Sequence, residues 1–405
     1  MEYTSLKREL RQKVQEKMDF VKDYTDEEVE DTIDEVLLEQ DQMIILPVEV
    51  RRRLRQELFD SLRRLDILQM FMEDSSVTEI MINGKDHIFI EQGGKLRELD
   101  VGFDSAEKLQ DVIQQIVAGC NRVVNEASPI VDARLPNGSR VNIVMNPIAL
   151  NGPIVTIRRF PDKPITMERL LQINSISQEA AGFLKELVTA KYNIFISGGT
   201  GSGKTTFLNV LSHYIPLDER VITIEDSAEL QLQGLANLVR LETRNGNVDG
   251  CHEITIRELI KSSLRMRPDR IIVGEVRGAE AIDMLQCLNT GHDGSMSTGH
   301  ANSGKDMLAR LENMVLMGMD LPLPAIRQQI ASGVDIIIHL GRLRDKTRKV
   351  LEITEVAGCK NNEIQLNPLF LFEETGQDEK GNIIGCLRKK GVLLHGDKLK
   401  AAGLS

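Results

Sequence analysis

The rhythm of hydrophobic positions changes several times along the chain. Near the start they recur at helical spacing. Val29, Ile33, Val36 and Leu37 form one stripe, and Leu54, Leu58, Leu62, Leu65 and Leu68 form a second. Such stripes belong to helices that bury one face. Pro47 stands between them, where a helix interior would not tolerate it. From about Ser76 the runs shorten. VTEIMING, HIFIEQGG and KLRELDV read as strands divided by Asn-Gly and Gly-Gly turns. A helix over Ala106–Ala118 follows. PIVDARLPNGSRVNIVMNP and PIVTIRRF then repeat the strand-turn-strand pattern, and FPDKPIT, with Pro161 and Pro164, reads as a linker.

After Ser177 strands and helices alternate. Helix 178–190 precedes YNIFIS, helix 204–214 precedes RVITIED, and helix 254–266 precedes RIIVGE. Helix 278–288 then leads into TGHDGSMSTGH. This alternation predicts a mostly parallel sheet with helices on both faces. Ligands of such sheets bind at the carboxyl ends of the strands. The last stretch holds strand-like runs, VLEITEV and EIQLNPLFLF. The expected organisation is an α/β chain in four segments. These are an acidic helical domain over 1–75, a small α/β domain over 76–164, the main α/β domain over 165–340, and a strand-rich extension over 341–405 packed on it.

Composition narrows the classes. The chain is 41% hydrophobic and 27% charged, as in soluble globular proteins. No apolar run approaches the roughly 18 residues of a membrane span, and the first residues lack a signal-peptide core. The expected location is the cytoplasm, with peripheral membrane association. The five cysteines are scattered with no CxxC pair, so reduced thiols and no zinc are expected. The net charge of −11 is uneven. Residues 1–49 hold 15 acidic and 6 basic side chains, a net of −9, which leaves −2 for the remainder. Arg51, Arg52, Arg53 and Arg55 follow Pro47. These charges read as a solvated helix face, with an electrostatic docking arm as the other reading. A body near neutrality, without tryptophan, gives no basic aromatic platform, so no nucleic-acid partner is expected.

Chemistry gathers after the strands. GGTGSGKTT spells Gly198, Gly199, Thr200, Gly201, Ser202, Gly203, Lys204, Thr205 and Thr206. It fits the G-x-x-x-x-G-K-[ST] phosphate loop, and it lies between an apolar strand and an apolar-faced helix. Its amides and the helix N-terminus can cradle a phosphate. Lys204 would bridge the β- and γ-phosphates, and the Thr205 hydroxyl would ligate Mg²⁺. ATP and Mg²⁺ are therefore the expected ligands. VITIEDSAE supplies Glu225, Asp226 and Glu229, and IIVGEVR supplies Glu275 and Arg277. A carboxylate just after a buried strand can hold a metal-bound water or polarise the attacking one; an ion pair with Arg277 is the plain alternative for Glu275. Glu225 and Asp226 are candidates for Mg²⁺, direct or through water. TGHDGSMSTGH carries His292 and His300 among small residues. By itself that stretch is a metal site, a catalytic loop or a flexible turn.

These stretches, with LRMRPDRIIVGEVRGAEAIDMLQCLNTGHDGSMSTGHANS and PIVDARLPNGSRVN, resemble the secretion-ATPase superfamily of type II and type IV secretion and type IV pili. The branch they resemble most is the CpaF/TadA ATPases of tight-adherence (Flp) pili. The resemblance implies a RecA-like core and a homo-hexameric ATP-hydrolysing motor. It implies work on an inner-membrane platform protein, with pilin subunits as indirect partners. Glu229 takes the place of a catalytic glutamate, Glu275 that of the Walker B glutamate, and His292 and His300 those of the histidine box. That box is then a γ-phosphate sensor rather than a metal site. Arg134, Arg140, Arg158 and Arg159 match arginines that reach the nucleotide from the small domain. Some members carry a four-cysteine zinc module that this chain lacks. Gly299 stands where members more often have a larger apolar residue, which would loosen the end of the stretch. The acidic helices are expected to be a mobile docking domain. A nucleic-acid translocase, a retraction motor and a non-hydrolysing scaffold are the rival readings.

Overall fold

The computed structural model describes residues 3–18, 22, 24–43, 46–120, 122–160, 164–244, 252–379 and 381–404. Cys251, Asp23 of the acidic run and linker residues 161–163 lie outside them. The chain divides into two compact units, Met1–Lys163 and Pro164–Ser405.

The first unit begins with three helices, α1 (Tyr3–Lys17), α2 (Asp26–Met43) and α3 (Val48–Arg63). The expected stripes supply their shared core as far as Leu62, whereas Leu65 and Leu68 join the core of the sheet that follows, because α3 ends at Arg63. Leu10, Val14, Val29, Ile33, Val36, Leu37, Leu54 and Leu58 are wholly buried. Pro47 caps α3 from outside. The opposite charges meet across the outer faces of the helices. Arg55 bonds Glu30 and Asp34, Arg63 bonds Asp26, Arg51 bonds Asp41, and Lys17 reaches Glu35 and Glu39. Exposed pairs of this kind contribute about 0–1 kcal/mol each, so the apolar core does most of the holding. The three helices share their own core, and the end of α3 is bonded to the rest of the unit. Lys108 donates to the Ser61 carbonyl at 2.6 Å, and Gln115 donates to the Arg63 carbonyl at 3.1 Å.

A short helix, α4 (Gln69–Glu73), leads into β1 (Val77–Asn83), β2 (His87–Gln92) and β3 (Lys95–Glu98). Helix α5 (Ala106–Gly119), β4 (Ile130–Arg134), β5 (Arg140–Val144) and β6 (Ile154–Arg158) complete the unit. The strands form one antiparallel sheet in the order β3-β2-β1-β6-β5-β4. Alternate residues such as Ile80, Ile82, Val141, Ile143, Val155 and Ile157 pack with Leu109, Val112, Ile113 and Ile116 of α5. The residues between them point away from that core.

The second unit holds α6 (Met167–Gln172), α7 (Gln178–Thr189), β7 (Ile194–Gly198), α8 (Lys204–Ser212), β8 (Val221–Glu225) and β9 (Leu238–Glu242). It continues with α9 (Ile256–Ser263), β10 (Arg270–Val273), α10 (Ala281–Asn289), β11 (Met296–His300), α11 (Gly304–Gly318) and α12 (Leu323–Gly333). It ends with β12 (Ile336–Arg342), β13 (Arg348–Lys360), β14 (Glu363–Gln377), β15 (Ile383–Lys389) and α13 (Asp397–Ala401). One nine-stranded sheet runs β15-β14-β13-β12-β7-β11-β10-β8-β9. From β12 to β9 every pairing is parallel. Beyond β12 three antiparallel pairings carry the sheet outward, so the C-terminal strands extend the sheet edge. Helices α7 and α8 pack on one face and α9 to α12 on the other. Strand β7 lies in the middle and is buried along its whole length. Among the described residues no helix is long and apolar enough to cross a membrane.

Candidate functional site

The glycine loop joins the wholly buried central strand β7 to the helix that follows it, α8. Gly201 has φ of 68° and Gly203 of 96°, a left-handed backbone that glycine adopts without a Cβ penalty. A Cβ on Gly199 or Gly201 would meet nothing within 4 Å, so the loop borders open space. Thr205 and Thr206 follow Lys204 in the first turn of α8, where N–H groups lack helical acceptors. Ser202 Oγ is buried without a protein partner among the described residues. The glycine cradle, the unpaired amides and this hydroxyl fit a phosphate group.

Lys204 is folded back over the loop. Its ammonium donates to the carbonyls of Gly198 and Gly199 at 3.2 and 3.1 Å, and its Nζ lies 3.3 Å from His300 Nδ1, the ring nitrogen left to accept once Nε2 faces a carboxylate. Burial holds it below the usual lysine range; Glu275 and Glu229 draw it upward, and Arg277 presses it down. A desolvated ammonium held mainly by neutral acceptors is poised for an anion.

The parallel register explains how His300 arrives there. It pairs with Gly198 across β11 and β7, at the carboxyl ends of both strands. Its Nε2 lies 2.9 Å from Glu275 Oε1. The other Glu275 oxygen accepts from Arg277 at 2.7 Å, and Arg277 reaches to 3.6 Å from Asp226. Glu229 acts electrostatically on both Lys204 and Arg277. Burial keeps the His300 imidazole below its ordinary 6.5, with Lys204, Arg277 and Arg310 adding to this and Glu275 opposing it. A neutral ring can accept from Lys204. The chain of contacts from Lys204 through His300, Glu275 and Arg277 to Asp226 crosses the ends of β7, β11, β10 and β8.

Three expectations need correction. His292 does not join this cluster. It precedes β11, whereas His300 ends it, and a five-residue strand separates its ends by about 13 Å. The backbone there lies at the amino ends of the strands, opposite the site. The His292 carbonyl accepts from Ser295 Oγ at 2.7 Å, and Lys398 of α13 binds Asp293 and Asp335, each at 2.7 Å. Glu225 is turned away from a metal-binding role. It is 3% exposed, and its Oε2 accepts from the backbone N–H groups of Glu229 and Leu230 at 2.6 and 2.8 Å. Burial pushes its carboxyl up to about 7, against the pull of those two amides. Gly299 is no loose end. A Cβ there would lie 2.9 Å from the sulfur of Met307 and 3.0 Å from Phe195, so those two side chains already fill the space.

The four arginines divide. Arg134, Arg140 and Arg158 stand directly opposite one another across β4, β5 and β6, on the face away from α5. Aligned like charges are unfavourable by themselves, and such a row suits an anion. Arg159, one residue on, donates to the carbonyls of Phe71, Asp74 and Val77 and ties β1 to the preceding helix.

Two contacts had no signal in the sequence. Arg348, on β13, donates through Nε to the Gly201 carbonyl at 2.7 Å. His339, on β12, lies opposite Ser197, and its Nδ1 is 2.9 Å from Ser197 Oγ in the buried sheet. Neither residue belongs to a spaced motif. Each is brought in by the strand order alone.

Comparison with known proteins gives the family and the fold. The profile of the type II/IV secretion system protein family matches residues 62–386. A putative conjugal transfer protein of Mycobacterium tuberculosis is 34% identical over 293 residues, covering 71% of this chain and 83% of its own. The conjugal transfer protein TrbB of Rhizobium radiobacter is 33% identical over 326 residues, covering 80% and 96%. In three dimensions the chain resembles the ATPase DotB of Legionella pneumophila with a TM-score of 0.51 at 20% identity, over 71% of this chain and 79% of that one. That likeness concerns the fold.

Proposed function

We propose, from the premise that the chain belongs to the type II/IV secretion system protein family, that it is a Mg-ATP-hydrolysing motor acting as a homo-hexamer. The single observation that carries this reading is the line of contacts from Lys204 to Asp226 beside the glycine loop. The amides of Gly199 to Thr206 and the Lys204 ammonium bind the phosphates. The Thr205 hydroxyl and the Asp226 carboxylate would hold Mg²⁺, directly or through water, and the ion would neutralise phosphate charge. When bound, MgATP supplies the phosphoanhydride bond that is cleaved. Glu275 and Glu229 orient and polarise the attacking water. Arg277 holds Glu275 in place. Neutral His300, touching both Lys204 and Glu275, carries the state of the γ-phosphate into β11. The Arg134, Arg140 and Arg158 row supplies cations for phosphate charge, while Arg159 serves structure.

The motor's task is assembly of a Flp-type pilus through an inner-membrane platform protein, with the chain bound peripherally at the cytoplasmic face. The resemblance of the motif set to the CpaF/TadA branch supports that choice. The conjugal transfer names of two relatives favour a second reading, a motor for a conjugative secretion channel.

Purified protein should turn over ATP only with Mg²⁺ and sediment as six chains. Lys204→Ala and Glu275→Ala should each remove turnover without loss of assembly. Turnover unchanged in either variant would reject the reading. Loss of pili on deletion supports the first task. Loss of conjugal transfer with normal pili supports the second.

A further inference from the structure

The acidic stretch that begins at the end of β8 carries three carboxylates, of which Asp226 and Glu229 act on the cluster. The third, Glu225, is the last residue of β8 and is buried. Its Oε2 takes two consecutive backbone N–H groups, those of Glu229 and Leu230. A single carboxylate oxygen thus closes the 226–230 turn on itself. Charged acceptors make short, strong bonds of this kind, and without the carboxylate two amides of the turn would lose their acceptor.

The other side of Glu225 faces the second acidic motif. A Cβ on Gly274 would lie 2.9 Å from Glu225 Cγ, so the methylene of Glu225 rests on the residue that precedes Glu275. Gly274 is itself fixed on both sides. Its N–H donates to the Ile224 carbonyl at 2.8 Å, and its carbonyl accepts from Thr298 Oγ1 at 2.8 Å. Glu225 thus touches both the backbone of Glu229 and the backbone beside Glu275.

We infer that Glu225 is a positioning residue, which closes the 226–230 turn and sets Glu229 at a defined distance from Glu275 by packing on Gly274. This rests on the ATP-hydrolysing reading for its kinetic consequence, but its structural half does not depend on turnover. Reacting groups tolerate little displacement, since an error of about 1 Å costs on the order of 10²-fold in rate. An amide oxygen can still accept both N–H bonds, whereas a methyl group cannot. The neutral Gln and the truncated Ala therefore part company. A Mg²⁺ ligand would behave otherwise, because loss of the charge alone would weaken the metal.

The test pairs residue-resolved amide hydrogen exchange on the protein without nucleotide with steady-state kinetics over a Mg²⁺ titration. Glu225→Ala should speed exchange at Glu229 and Leu230 and lower kcat on the order of 10²-fold, with KM for ATP little changed. Glu225→Gln should keep the protection, the kcat and the half-saturating Mg²⁺ of the parent. Gly274→Ala, which must push Glu225 aside, should reproduce the Ala defect. Unchanged exchange at Glu229 and Leu230 in Glu225→Ala overturns the inference. So does a Glu225→Gln variant that needs far more Mg²⁺. If the parent protein has no turnover, the ATPase reading fails by itself, and the exchange data still decide whether Glu225 holds the turn.

Discussion

His300 Nε2 stands 2.9 Å from Glu275 Oε1, while the same imidazole receives the ammonium of Lys204. One neutral ring thus joins the phosphate-loop lysine to the carboxylate at the end of the next strand but one. The contact exists because β11 lies between β7 and β10. It ties three strand ends into one electrostatic unit, and a change of charge at the loop is felt at Glu275.

The two histidines of TGHDGSMSTGH should therefore separate on mutation. His300→Ala should lower kcat on the order of 10²-fold, the scale of losing one polar group from a transition-state site, with nucleotide affinity nearly kept. His292→Ala should leave kcat close to the parent. Parallel ATPase assays and nucleotide-binding titrations check this; equal losses in both variants would reject the split.

Acidification gives a second expectation, and its sign follows from the direction of the shift. The His300 imidazole is held below 6.5 by burial, with the Lys204, Arg277 and Arg310 cations adding to it and Glu275 opposing. Between the folded value and 6.5 the unfolded chain binds more protons there, so stability rises with pH. His300 should cost stability as pH falls below about 6.5. His300→Gln should lose less stability over that window than the parent. Denaturant unfolding of both proteins from pH 7.5 to 5 measures the difference.

Arg270 is fully buried and bonds Glu219 through two nitrogens, with the Val188 carbonyl at 2.7 Å. Removing one partner strands a buried charge, at a cost of about 3–5 kcal/mol. Glu219→Ala should lower unfolding free energy by that amount, while Arg270→Met with Glu219→Leu should recover much of it. Urea melts of the single and double variants test the pair.

Arg348 braces the glycine loop from an antiparallel strand. An exposed hydrogen bond of this kind contributes about 1 kcal/mol, which is about fivefold in an equilibrium. Arg348→Ala should raise KM for ATP by about that factor and leave kcat alone. A fall in kcat instead would place Arg348 in the chemistry.

Much of the fold was legible because its signals are local. The stripes of Leu54, Leu58 and Leu62, the alternation of VTEIMING and the apolar run before Glu275 each report one element's exposure. Residues 301–340 gave no such reading, yet they form α11, α12 and β12. The Ile336–Ile338 run is too short to distinguish strand from helix, and β12 is defined by its pairing with β7. Strand β9 was missed for the same reason, since its half-exposed residues show little pattern.

The candidate site divides along the same line. GGTGSGKTT and IIVGEVR are contiguous, and backbone conformation within a few residues dictates what they can hold, so both were legible as candidates in the sequence. The seven residues between His292 and His300 looked equally local. A strand intervenes, and extended backbone carries its two ends apart, so only the fold removed His292 from the cluster. Likewise the row of Arg134, Arg140 and Arg158, the diversion of Arg159, the burial of Glu225 and the reach of Arg348 depend on register and strand order. Those are properties of hydrogen-bond ladders between distant segments. A ladder's register is set by how the whole sheet buries its faces, and no single stretch of sequence contains that information.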